Sequence, residues 1–156
     1  MLVIEVEKYG TMKFALDEEN APITVANMIK LANEGFYDGL IFHRIIKDFM
    51  IQGGDPKGNG LGGAKHHIKG EFISNGVNNE HHHSRGTISM ARAMDPNSAS
   101  SQFFICHVDC SYLDRDYAAF GDMVDGFDVL DLLANTTTGI SDRPLDPPVI
   151  KRMYIE

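Results

Sequence analysis

A chain of 156 residues, 43% hydrophobic and 23% charged, has the size and composition of one soluble globular domain, taken as residues 1–156. Its formal net charge of −8 argues against a general nucleic-acid binder, which needs a basic face toward phosphate. No apolar run approaches the roughly 18 residues of a membrane span, and MLVIEVEKYG lacks the features of an export signal, so a cytoplasmic protein with two free thiols, Cys106 and Cys110, is expected.

In chain order, Leu2 to Glu7 and Met12 to Leu16 are strand-like runs on either side of Tyr9-Gly10. In the second run Met12, Phe14 and Leu16 alternate with Lys13 and Ala15, the period of a strand, so the chain opens on a hairpin. After Pro22, the residues Val25, Met28, Ile29 and Ala32 recur at helical spacing, and Gly35 stands where a helix stops. Short apolar runs follow at Leu40 to Ile46, Phe49 to Gln52, Thr87 to Ala91, Gln102 to Val108 and Ala118 to Val124, each flanked by turn residues. A second helical run, FDVLDLLAN, shares one face among Phe127, Leu130 and Leu133, and Val149 to Ile155 is a last strand. Many short strands with two helices predict a closed or nearly closed β-barrel with helical caps, since closure removes exposed edges. Propensity alone does not separate that barrel from a sandwich.

Two stretches carry the chemistry. FHRIIKDFMIQGGD, from Phe42 to Asp55, holds one cation (Arg44), one amide (Gln52) and the apolar pair Phe49 and Met50. SQFFIC, from Ser101 to Cys106, adds a second amide, Gln102, and two aromatics. Neither supplies a Ser–His–Asp set, paired carboxylates or a metal cluster, which reactions that break covalent bonds usually need. Rotation about an amide bond needs none of them.

FHRIIKDFMIQGGD, NGLGG, ISMAR, NSASSQFFI and AAFGDMVDG resemble successive signature blocks of the cyclophilins, in the family's order. The resemblance runs from the first hairpin to the final strand. It implies a mainly β fold, a closed eight-stranded antiparallel barrel capped by two α-helices, with a proline-binding groove on its outer face. It further implies peptidyl-prolyl cis–trans isomerisation, assistance to protein folding, and no cofactor or metal. Carried over by motif, the catalytic set is Arg44, Gln52 and Phe49. The substrate-binding set is Met50, Ala91, Arg92, Ala93, Gln102, Phe104, Tyr112, Leu113 and Tyr117. Three positions depart from the best-studied members: Tyr112 stands where they have Trp, Tyr117 where they have His, and Arg92 where an Asn acts through its backbone. Little effect is expected from Arg92. The segment Met94 to Ser101 is one residue longer than theirs.

The expected partners are proline-containing peptides and unfolded chains, acted on by a monomer, with no nucleic acid and no membrane. Cyclosporin, which inhibits cyclophilins, is an expected ligand of reduced affinity because of Tyr112. A proline-binding module without catalysis is the alternative; the loss of Arg44 would favour it, and Arg44 is present. The proposed role of Arg44 follows from the bond itself. At the top of the barrier the C–N bond is twisted and the proline nitrogen regains a lone pair. A permanently charged, rigid donor aimed at that lone pair stabilises the twisted state over both planar states.

The remaining motifs read as structural. Gly58-Asn59-Gly60-Leu61-Gly62-Gly63 fits G-x-G-x-x-G, but AKHHIKGEF follows it without a helical period, so dinucleotide binding is rejected in favour of a turn-rich loop near the groove. His66, His67, His81, His82 and His83 are expected in solvated loops rather than around a metal. Strand alternation directs His43 to the face opposite Arg44, a structural position. Cys106 is expected to be buried and Cys110 exposed. Asn135-Thr136-Thr137, a formal glycosylation acceptor, matters only in a secreted protein.

Overall fold

The computed structural model describes residues 1–156. Eight strands and two helices follow one another as β1 (Leu2–Val6), β2 (Gly10–Leu16), α1 (Pro22–Asn33), β3 (Phe42–Ile46), β4 (Met50–Gly53), β5 (Thr87–Met90), β6 (Phe103–Cys106), β7 (Ala119–Asp125), α2 (Phe127–Ala134) and β8 (Ile150–Ile155). The strands form one antiparallel sheet in the order β3-β4-β6-β5-β7-β2-β1-β8. The opening hairpin pairs Leu2 with Phe14 and Val6 with Gly10, in the register the alternation of β2 calls for.

The sheet curls into a half-barrel and does not close, contrary to the closed barrel expected from the sequence. Its edges, β3 and β8, share no strand ladder. They meet only through the isolated bridge Ile41–Val149 and backbone bonds just ahead of each strand, such as Phe42 N to Pro148 O at 3.0 Å and Ile150 N to Leu40 O at 2.8 Å. Pro147 and Pro148 enter β8 without N–H groups, so the ladder cannot extend through them.

The concave side holds the main core, with Leu2, Ile4, Phe14, Phe42, Phe103 and Phe120 fully buried. The helix α1 packs toward β8, and α2 toward β2. A smaller apolar cluster, Met50, Phe104, Cys106 and Cys110, lies on the other face of the same strands. Along β4 and β6, alternate residues therefore enter different cores: Ile51, Phe103 and Ile105 the main one, Met50, Phe104 and Cys106 the outer one.

The start of α1 is capped from a distance. Ala21 precedes Pro22 and offers no side-chain cap. The buried Glu71 carboxylate, 47 positions away in sequence, instead accepts from Thr24 N and Thr24 Oγ1, both at 2.6 Å, and from Ile23 N at 3.2 Å. These are N–H groups that a helix start leaves without partners, and a carboxylate suits the positive end of the helix dipole.

Candidate active site

Arg44 stands on β3 with its side chain in solvent. The β3–β4 register passes from Phe42–Gly53 to Arg44–Gln52, leaving His43 as an irregular residue between them. His43 is buried, neither ring nitrogen has a hydrogen-bond partner, and burial pushes its pKa down. Pairing with β4 brings Arg44 Nη1 to Gln52 Oε1 at 3.4 Å. Pairing of β4 with β6 then brings Gln52 Nε2 to Gln102 Oε1 at 3.0 Å. Gln102 Nε2 donates to Gly60 O at 3.0 Å and Gly62 O at 2.8 Å, so both amides are held in one orientation by the glycine-rich loop.

That loop is folded around the carboxylate of Asp55. Burial acts to raise the Asp55 pKa, but backbone N–H groups of Lys57, Gly62, Asn59 and Gly60 outweigh it and hold the carboxyl below its ordinary value. Gly60 has φ +87°, and a Cβ on Gly62 would collide with Asp55 Oδ1. The loop glycines thus serve backbone geometry, as the sequence analysis expects.

A cleft of about 140 Å³ opens beside Arg44. Phe49, Met50, Phe104, Leu113 and Tyr117 form its apolar walls, and Ala91, Gln52, Arg44 and Arg92 complete it. Phe104 packs edge-on against Tyr117, with centroids 5.8 Å apart. A second, more polar cavity of about 360 Å³ shares the Gln52, Ala91 and Arg92 wall and is also lined by Ala93, Gln102, Ser98, Ser100 and the loop around Gly62. Of the residues named from sequence, the fold gathers all but one around these two cavities. Tyr112 lines neither; it is 68% exposed, with its ring 6.2 Å from that of Phe49.

Four expectations change. The Arg92 side chain is not incidental: its guanidinium lies 4.8 Å from the Phe72 ring centroid and 4.9 Å from that of Tyr117, and donates to Asp116 O, Ala93 O and Met94 O. It braces the wall between the cavities. Cys110 is fully buried with Cys106 behind Phe49 and Met50, because the turn after β6 folds back onto the outer cluster. His81 is not solvated: it sits between Asp17 Oδ2 (2.6 Å) and Asp122 Oδ1 (3.0 Å), and the Asp122 bond, with Asp17, pushes its pKa up to about 9 against the effect of burial. His83 is fully buried, with its ring stacked 5.9 Å from that of Phe104. His66, His67 and His82 are exposed, as expected. The sequence carries no periodic signal for the buried pair, because their partners come from distant segments.

Comparison with known proteins agrees with this architecture. Residues 1–155 match the family model described as cyclophilin type peptidyl-prolyl cis-trans isomerase/CLD. The chain is 44% identical over 139 residues to the peptidyl-prolyl cis-trans isomerase ppi1 of Schizosaccharomyces pombe, covering 88% of each protein. It is 42% identical over 147 residues to the isomerase CYP18-1 of Arabidopsis thaliana, covering 94% of this chain and 90% of that one. A Streptococcus pyogenes relative whose name pairs a phosphatase with a peptidyl-prolyl cis-trans isomerase is 40% identical, but the chain spans only 37% of its length. A crystal structure of a Cryptosporidium parvum cyclophilin type isomerase, obtained in the presence of the dipeptide Ala-Pro, superposes with a TM-score of 0.91 at 36% identity, covering 99% of this chain and 98% of that one. The fold and the sequence define a cyclophilin half-barrel. The chain belongs to the cyclophilin-type peptidyl-prolyl cis-trans isomerase family.

Proposed function

We propose that this chain catalyses cis–trans isomerisation of Xaa-Pro bonds, with the proline ring in the 140 Å³ cleft and Arg44 as the main catalytic residue. The observation that carries the reading is the pairing of an apolar cleft with Arg44, a permanently charged donor at its edge engaged only by the long 3.4 Å bond to Gln52, whereas the Arg92 guanidinium is committed to backbone carbonyls and two rings. The barrier to rotation is about 18–20 kcal/mol, and arises from donation of the nitrogen lone pair into the carbonyl. As the bond twists the lone pair returns to nitrogen, and a guanidinium N–H aimed there stabilises the twisted state selectively. Phe49, Met50, Phe104 and Leu113 hold the ring out of water, which strengthens the contact. Gln52 and Gln102, fixed by the glycine-rich loop, hold the peptide chain while the other side rotates.

The substrates are proline-containing peptides and unfolded chains, a class supported by the Ala-Pro dipeptide named with the Cryptosporidium parvum relative. The mechanism uses no proton transfer and no cofactor. No helix is long and apolar enough to cross a membrane. A protease-coupled isomerisation assay on a short Xaa-Pro peptide tests the reading. Peptide binding without any acceleration leaves a proline-binding module and sinks the enzyme proposal.

A further inference from the structure

His83 occupies a position that its sequence context, a run of three histidines, conceals. Its Nδ1 faces Asp114 Oδ1 at 2.9 Å and its Nε2 faces Ser89 Oγ at 2.8 Å, both below the surface of the cleft. An ionised carboxylate only accepts, so Nδ1 carries the proton and Nε2 of the neutral ring accepts from the Ser89 hydroxyl. One tautomer and one ring orientation satisfy both partners.

The ring so fixed lies 5.9 Å from Phe104 with only 12° between the planes, while Tyr117 meets Phe104 edge-on. Phe104 is therefore held between two rings, one of them fixed by hydrogen bonds. His83 also reaches the segment that carries Leu113, another residue of the cleft wall. His83 N donates to Asp114 Oδ1 at 2.7 Å, next to Leu113, and Cys110 N donates to His83 O at 2.9 Å. Phe104 on β6 and Leu113 on the following turn thus share one anchor. We infer that His83 is a positioning residue for the reaction: locked between Asp114 and Ser89, it sets the spacing of the Phe104 and Leu113 walls that receive proline. This inference rests on the proposed isomerase reading of the cleft.

Two variants of the full chain test it. Ser89→Ala removes only the partner of Nε2 and leaves the ring held by Asp114 alone. His83→Phe keeps a flat ring against Phe104 and removes both hydrogen bonds. In the peptide assay each variant should raise KM about 3–10-fold, the worth of one or two buried hydrogen bonds, while kcat stays within about twofold. The Phe104 ring resonances of the free protein should shift in both. A purely structural role lowers the fraction of folded enzyme, which reduces kcat and leaves KM alone. An unchanged KM in Ser89→Ala overturns the inference, and that variant decides if His83→Phe does not fold. Peptide affinity from an NMR titration keeps the two proposals apart. If the wild-type chain binds peptide without turnover, a weaker Kd in Ser89→Ala still upholds the role of His83, and an unchanged Kd still refutes it.

Discussion

Replacing Arg44 with Ala separates chemistry from folding more sharply than any other substitution here. The side chain is in solvent and makes one hydrogen bond at 3.4 Å. Its loss leaves Gln52 Nε2 bonded to Gln102, so the amide pair survives. Surface substitutions of this kind change stability by about 0.5 kcal/mol or less. The transition state, by contrast, loses the charged donor that is free to face the cleft, since Arg92 is held by backbone carbonyls. Removal of a preorganised charge-stabilising donor raises a barrier by about 2.7–4 kcal/mol, so kcat/KM should fall about 10²–10³-fold. Arg44→Lys keeps the charge but not the planar fork, and its activity should lie between the two. The measurement is a protease-coupled assay on an Xaa-Pro peptide beside urea unfolding of the same samples. A wild-type rate in Arg44→Ala, with an unchanged unfolding midpoint, would refute the assigned role.

Three further outcomes are expected. Glu71→Ala leaves Ile23 N and Thr24 N at the start of α1 without their buried acceptor and should destabilise the protein by about 2–4 kcal/mol; an unchanged urea midpoint would show that the distant cap is dispensable. His81, raised to about 9 chiefly by Asp122, contributes stability that is fully present below its unfolded value near 6.5 and is lost as pH rises through about 9. Unfolding midpoints should therefore fall between those pH values in the wild type and change less in His81→Asn; parallel curves for the two would remove His81 from the account. Tyr112 lies exposed with its ring 6.2 Å from that of Phe49, a cleft wall residue, and its smaller ring and displaced donor should leave cyclosporin inhibition roughly 10–100-fold weaker than in Tyr112→Trp; equal inhibition of the two proteins would show that this position does not set drug affinity.

What was legible in the sequence is what depends on neighbours along the chain. The alternation of Met12, Phe14 and Leu16 points to the first hairpin because a one-residue slip in register would turn its apolar face to solvent. The spacing from Pro22 and the stop at Gly35 bound α1 for equally local reasons, and the structure ends the helix at Asn33. Arg44 and Gln52 meet because a tight β3–β4 hairpin pairs residues eight positions apart. Other features depend on segments that meet only after folding. Continuous apolar runs such as FFIC conceal their alternation, since both faces of β6 are buried, one in the main core and one behind the cleft. The Glu71 cap, the Asp17–His81–Asp122 bridge and the Asp114–His83–Ser89 relay each join residues with no shared periodicity. The open edge follows from geometry as well: strand number suggests closure, but two prolines entering β8 withhold the N–H groups a continuous ladder requires. Local pattern marked most of the elements, and the resemblance of the motif blocks pointed to the family and to the residues that line the cleft. Burial and long-range hydrogen bonding, which exist only once the sheet has curled, decided which histidines and thiols are sealed inside and what holds the walls of the cleft in place.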